Sequence, residues 1–386
     1  MDKEKALLIY SGWLGDLVWI IPTINALKTR FSQLSIVASE VQGPLAITMK
    51  GQGLHNVFID SSKNRLSVAR DIRKTAIAEG IGTYIDIKGR GKAGVFIPWR
   101  FDTNVFIPSR IDAREFMLAR LLHPLAVSMP PRNHATHMVN AYLDIARFFG
   151  VANQRVDFRI PFSNEVTEKT NTLIVDEGIR TGKTVAISPG SAQFSKIWPA
   201  ANYRRLAEML KSDLGCKVVI MGAREFRPNG NYDLMVSRQY FNDGAFLNLT
   251  ERTDMLTDAC LFTSGVFDVA VGNDSFAGHI AGSASEVAPH AEGAFRAPDG
   301  KHYKANRTVS LFGPTNPFFC RPYDPTGQFN LAVRPKEYPA TCHYNRTDHI
   351  CHHYRDKSCI DADHCMKLIE VDEVFAAVEQ QLARAS

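Results

Sequence analysis

The sequence predicts an α/β protein made of two doubly wound halves, each a mostly parallel sheet with flanking helices. Three observations carry that expectation. Short apolar runs alternate with segments of helical period along much of the chain. The same alternation restarts beyond Pro161, after a polar stretch without a strand. And 386 residues, 45% hydrophobic and 22% charged, is the size of two ordinary globular domains whose cores need no disulfides.

In the first half, Ala6–Tyr10 reads as a buried strand. It runs into the glycine-bearing turn Gly12-Trp13-Leu14-Gly15-Asp16. Leu17, Ile20, Ile21, Ile24, Leu27 and Phe31 then recur at helical spacing, with Pro22 either interrupting that helix or marking its start. Ser35–Ala38, Val57–Ile59 and Thr83–Ile87 are strands, and Ala141–Phe149 is a helix closing the half. A polar helix, Glu165–Glu177, follows the boundary near Pro161. The expected domains are residues 1–160, residues 161–370, and a terminal helix at 371–386.

The second half opens with a strand at Thr184–Ser188 and a loop at Pro189–Pro199. A helix carries Tyr203, Leu206, Ala207 and Leu210 on one face, and Lys217–Met221 is the next strand. A helix near Met255–Phe262, a strand at Phe267–Val271 and a tight turn at Gly272–Ser275 come next. Residues 284–308 read as a long surface loop, Val309–Phe312 as a strand and Val371–Ala385 as an amphipathic helix.

In such folds ligands lie at the C-terminal ends of the strands, so the loops after strands are where chemistry belongs. Asp16 has two readings: it caps its helix, or its carboxylate is a general base. Ser188-Pro189-Gly190-Ser191, running on to Lys196, is a small-residue loop whose N–H groups suit a phosphate, with Lys196 as a point charge. Its bland reading is a polar connector. Gly272-Asn273-Asp274-Ser275 opens a helix, where Asp274 and Ser275 can meet ligand hydroxyls or phosphate. His279, about one turn on, either faces the same ligand or is a satisfied interior histidine. Neither the dinucleotide fingerprint nor the P-loop spacing is present.

Charge is uneven. Of the net +5, residues 61–160 contribute 16 Lys/Arg against 8 Asp/Glu. That balance suits an anionic partner, and Lys88, Arg90 and Lys92, just after a strand, are its candidate contacts. The apolar stretch within Leu121–Pro131 reads equally as a membrane contact or as core. No interleaved aromatics make a nucleic-acid platform, and no apolar run reaches the roughly 18 residues of a membrane span. The expected location is the cytoplasm, with peripheral attachment to the inner membrane as its variant. Cys342, Cys351, Cys359 and Cys365 crowd the C-terminal region without zinc-knuckle spacing. Reduced cysteines are the expectation there, a structural metal the alternative, and no catalytic metal or cofactor is expected.

Four segments in order, with a Cys365-Met366 pair that also fits, resemble glycosyltransferase family 9, the ADP-heptose:lipopolysaccharide heptosyltransferases. The four are Gly12-x-x-Gly15-Asp16, Pro189-Gly190 to Lys196-x-Trp198-Pro199, Gly272-Asn273-Asp274-Ser275 with His279, and Leu311-Phe312-Gly313-Pro314-Thr315. The resemblance implies a GT-B fold: two Rossmann-like domains facing a central cleft, with the terminal helix packing back toward the first domain. It implies inverting, metal-independent transfer from a nucleotide-sugar, ADP-linked for this family. It puts Asp16 on the general base and Lys196 on the diphosphate-binding lysine. Gly15, Ser188, Gly190, Asp274, Ser275 and His279 fall to the donor. Two positions depart from the family pattern: Tyr10 stands in place of an arginine and Phe276 in place of a glycine. Those departures motivate a second reading, a nucleotide-sugar-binding sensor or scaffold without transfer.

Overall fold

The computed structural model describes residues 4–10, 12–50, 54–60, 65–87, 103–106, 127–128, 136–151, 155–222, 237–250, 252–338 and 365–385. They form two compact units, Met1–Pro161 and Phe162–Ser386.

The first unit has strands β1 (Lys5–Tyr10), β2 (Gln33–Ser39), β3 (Val57–Asp60), β4 (Thr83–Asp86), β5 (Thr103–Phe106) and β6 (Val127–Ser128). All pair in parallel, in the order β3-β2-β1-β4-β5-β6. Helices α1 (Leu14–Arg30), α2 (Gly43–Thr48), α3 (Arg65–Glu79) and α4 (Met138–Phe148) complete it. β1 is central and its residues Ala6–Tyr10 are buried, which is why it reads as a continuous apolar run. Pro22 lies inside α1, which runs on through it.

The second unit repeats this plan. Helix α5 (Asn164–Asp176) leads to β7 (Thr184–Ser188), α6 (Ala200–Leu214), β8 (Lys217–Ile220), β9 (Leu247–Asn248), α7 (Met255–Thr263), β10 (Val269–Asn273) and α8 (Phe276–Gly282). After β11 (Ser285–Val287), β12 (Phe295–Arg296) and β13 (His302–Lys304) come β14 (Arg307–Leu311), α9 (Pro317–Cys320), β15 (Asn330–Val333) and α10 (Val371–Ala385). The main sheet is again parallel, in the order β15-β14-β10-β7-β8-β9. Counted from β7 along the chain, that is the same strand order as in the first unit. The order reverses between β1 and β4 in one unit and between β7 and β10 in the other. Those two places are the crevices where such sheets take ligands.

Two sequence expectations change here. Residues 284–308 are not a structureless loop: β11 and β12 flank β13 in a small antiparallel sheet, with Tyr303 buried beneath it. Strands of two or three residues are too short to show a period. The supposed tight turn at Gly272–Ser275 begins two residues later, because β10 runs on through Gly272 and Asn273. The terminal helix sinks Val371, Val374, Val378 and Leu382 into the second unit's core beside Leu206 and Leu210. That apolar stripe is what burial rewards, and the sheet it belongs to offers the matching face.

Candidate active site

The β7/β10 crevice is drawn together by one side chain. Asn273, the last residue of β10, is fully buried, and its Oδ1 accepts from the Trp198 backbone N–H at 3.1 Å and the Tyr203 hydroxyl at 2.8 Å. Its Nδ2 donates to the Pro189 carbonyl at 2.7 Å. The amide thus ties the Pro189–Pro199 loop to the end of β10. Gly272, opposite Ser188 in the register, lets the strands approach: a Cβ there would lie 2.9 Å from the Ser188 carbonyl oxygen. Trp198 is buried and donates its indole N–H to Ile369 O at 2.9 Å, anchoring the far end of the loop.

On this frame Lys196 ends a short 3-10 turn, Phe194–Lys196. Its Nζ lies 2.6 Å from Asp274 Oδ2, with side-chain exposures of 17% and 2%. The Thr315 hydroxyl donates to the same oxygen at 2.7 Å, and His279 Nε2 sits 3.2 Å from Oδ1. Burial pushes the Asp274 carboxyl up, but the Lys196 charge and the His279 contact outweigh it and hold the group well below the usual carboxylate range. Asp274 therefore directs its carboxylate into the protein, and Lys196 is the charged group that reaches the surface. Ser275 is the half-buried N-cap of α8 and makes no capping bond with its side chain. Ser188 and Gly190 are buried in the loop wall, and His279 is a buried histidine facing Asp274.

In the first unit, Gly12 and Trp13 form the turn after β1 at the β1/β4 crevice. Asp16 is the third residue of α1, and its Oδ2 accepts the Trp13 backbone N–H at 3.1 Å. The capping geometry is real, and it fixes the orientation of a half-buried carboxylate. Gly15 lies in the same first turn. Tyr10 is buried and its hydroxyl donates to the Asp16 carbonyl at 2.8 Å, with the Tyr142 hydroxyl 3.1 Å away. The two rings meet edge-on at 5.6 Å. Asp86, buried at the end of β4, adds a second carboxylate at this end of the sheet.

Sequence reasoning missed the structural role of Asn273, the Thr315 contact and the Tyr10–Tyr142 pair. The five-residue segment ending at Thr315 was visible, but its pairing with Asp274 depends on β14 lying beside β10. Lys88, Arg90 and Lys92 lie outside the described residues, as do residues 121–126 and 129–131 of the apolar stretch and Cys342, Cys351 and Cys359. Among the described residues no three His, Cys, Asp or Glu converge to hold a metal ion, and no helix is long and apolar enough to cross a membrane.

Residues 118–286 match the family model described as glycosyltransferase family 9 (heptosyltransferase). That match spans less than half of the chain and makes this part of it similar to family 9. The matched segment contains Lys196, Asp274 and His279, and Asp16 lies ahead of it. The chain is similar in structure to the glycosyl transferase family 9 protein from Veillonella parvula DSM 2008, with a TM-score of 0.67 and 16% identity, covering 100% of this chain and 99% of that one. Against E. coli ADP-heptose lps heptosyltransferase II the TM-score is 0.64 at 18% identity, covering 98% and 99%. Against E. coli heptosyltransferase WaaC with ADP it is 0.63 at 11% identity, again covering 98% and 99%. These likenesses show that the chain has a GT-B fold. No curated protein sequence matches.

Proposed function

We propose that this chain is an inverting glycosyltransferase that moves a heptose from ADP-heptose to a hydroxyl of an anionic glycan, glycolipid or protein. The observation that carries the reading is Lys196, held by a buried carboxylate at the switch point of the second unit's sheet. A cation fixed at that place suits a diphosphate leaving group. The similar E. coli structures, an ADP-heptose lps heptosyltransferase and a heptosyltransferase with ADP, support the nucleotide and the sugar. The basic stretch within residues 61–160 supports an acceptor that is anionic and presented at the inner membrane surface.

In the reaction, the acceptor oxygen forms a bond to the anomeric carbon on the face opposite the nucleotide. The bond from that carbon to the diphosphate oxygen breaks, so the anomeric centre inverts. Asp16 takes the acceptor proton, and its bond to the Trp13 N–H holds it ready. Lys196 offsets the charge appearing on ADP, which makes a metal unnecessary. Asp274 acts through Lys196, fixing the ammonium so that little side-chain freedom is lost when the donor arrives.

Coupled release of ADP on adding donor and acceptor distinguishes transfer from binding alone. Asp16→Ala should abolish that release while leaving ADP affinity intact. Lys196→Ala should weaken ADP binding by about 10- to 100-fold, the worth of a charge-assisted hydrogen bond. Near-normal turnover of Asp16→Ala would remove the base assignment, and unchanged ADP affinity in Lys196→Ala would remove the donor site. Thermal stabilisation by ADP over UDP and GDP tests the nucleotide.

A further inference from the structure

Trp13 is held in an unusual way for an exposed aromatic residue. The residue is 38% exposed, although tryptophan is ordinarily drawn into cores. Its backbone is nonetheless fixed at both ends of the peptide unit. The N–H is bound by Asp16 Oδ2 at 3.1 Å, and the carbonyl accepts from Gln42 Nε2 at 3.1 Å. The preceding Gly12 carbonyl accepts from the Ser39 hydroxyl at 2.8 Å. Gln42 itself is fully buried, and its Oε1 takes the Ser39 N–H at 3.1 Å. A buried amide and a hydroxyl from the end of β2 are thus committed to holding one turn still, and that turn offers an indole to the surface.

We propose that the Trp13 indole is the platform on which the acceptor's carbohydrate ring lies, and that it sets acceptor specificity. This rests on the reading of Asp16 as the base. A hydroxyl that gives its proton to Asp16 must come within about 3 Å of the carboxylate. The sugar ring bearing that hydroxyl then occupies the space next to the same turn, where Trp13 stands. One face of a sugar ring is lined with C–H bonds, and an indole face, rigid and electron-rich, matches it. An apolar contact at this point excludes water from the base without competing for its charge. The occupant is therefore carbohydrate, not a bilayer: a single indole beside a base matches one sugar ring.

The test uses the full-length protein with ADP-heptose and, as acceptor probe, the phosphorylated core oligosaccharide of a lipopolysaccharide stripped of its acyl chains. Trp13→Ala should raise the acceptor KM at least about tenfold, equivalent to about 1.4 kcal/mol, with the donor KM within twofold of wild type. Trp13→Phe, which keeps a flat ring, should restore most of the loss. Titration of the oligosaccharide should change the wild-type tryptophan emission, and Trp13→Phe should abolish that change. An acceptor KM that does not move, equal losses in donor and acceptor KM, or no emission change in the wild type would each overturn the proposal. So would an emission shift produced by sugar-free anionic vesicles in place of the oligosaccharide. Asp16→Asn in the same assay separates the two readings. If it still turns over, the base assignment fails; if it is inactive while Trp13→Ala keeps its acceptor KM, only the platform fails.

Discussion

Replacing Asp274 with Asn tests whether the second unit's site is held together by charge. The Lys196 ammonium and the Asp274 carboxylate are 2.6 Å apart, at 17% and 2% exposure. Removing the carboxylate charge leaves a largely buried ammonium without that counter-ion. Breaking such a pair from one side costs about 3–5 kcal/mol. Lys196 has a flexible stem and some access to water, so the low end applies, about 3 kcal/mol. The Asn oxygen can still accept from Thr315, so that bond does not add to the loss. In Lys196→Met/Asp274→Asn neither charge remains, and the double variant should be less destabilised than the sum of the singles by at least about 2 kcal/mol. Because the chain has two units, a single denaturation midpoint would mix them. Hydrogen exchange of peptides covering Thr184–Ser188 and Val269–Asn273 reads the second unit directly. A loss below about 1 kcal/mol in the Asn variant, or additive singles, would refute the argument.

Acid gives the same test without mutation. The native Asp274 carboxyl is held below its ordinary range, chiefly by Lys196 and His279 against the push of burial. Its contribution is therefore fully present above the unfolded-state value of about 4 and is lost as pH falls through the lower native value. The wild-type second unit should weaken progressively below about pH 4. Asp274→Asn should show a flatter profile over the same window. Parallel profiles would mean that other carboxylates carry the acid sensitivity.

Two more perturbations address the frames behind the sites. Tyr10→Phe deletes the hydroxyl that donates to Asp16 O and pairs with Tyr142, which should cost about 2 kcal/mol and lower the first unit's thermal midpoint by roughly 4–8 °C; an unchanged midpoint by calorimetry would mean the pair contributes no net stability. Gly272→Ala puts a Cβ within 2.9 Å of a backbone oxygen across the sheet, which should cost about 1–3 kcal/mol and weaken ADP binding, whereas Gly278→Ala meets only ordinary 3.5 Å contacts and should do neither; equal behaviour of the two in denaturation and ADP titration would contradict the close-approach argument.

The strands β1 and β7 and the helix α10 were legible because each is decided locally. Two are central strands buried along their length, Lys5 at the start of β1 excepted, and the third shows one apolar stripe over four turns. The end of β10 was not legible for a different reason. Gly272-Asn273 has the composition of a turn, and glycine and asparagine are turn formers. Here they serve tertiary needs: one clears space for Ser188, the other bridges Trp198, Tyr203 and Pro189. The small β11–β13 sheet escaped because its pairing is non-local and its strands are minimal. For the site, spacing located the loops holding Lys196 and Asp274 but could not reveal that the two bond each other across 78 positions of sequence. That contact exists only because β7 and β10 are neighbours, a fact of strand order.

The shared strand order also explains why the two sites differ as they do. Each unit opens a crevice where its sheet reverses, so each offers a turn and a helix start to a ligand. In the first, the carboxylate of Asp16 is fixed by a neutral backbone N–H, which orients it while leaving its charge uncompensated by that bond. In the second, the carboxylate of Asp274 is buried against a lysine, which spends its charge on holding Lys196 in place. A base has to keep its charge to accept a proton, whereas a diphosphate clamp has to keep its geometry. A lysine free to swing would lose about 2 kcal/mol of rotamer freedom on meeting its ligand, and the Asp274 tether removes much of that cost in advance. On the proposed reading, two carboxylates in equivalent crevices take different tasks: Asp16 is oriented by a backbone amide and Asp274 holds an ammonium.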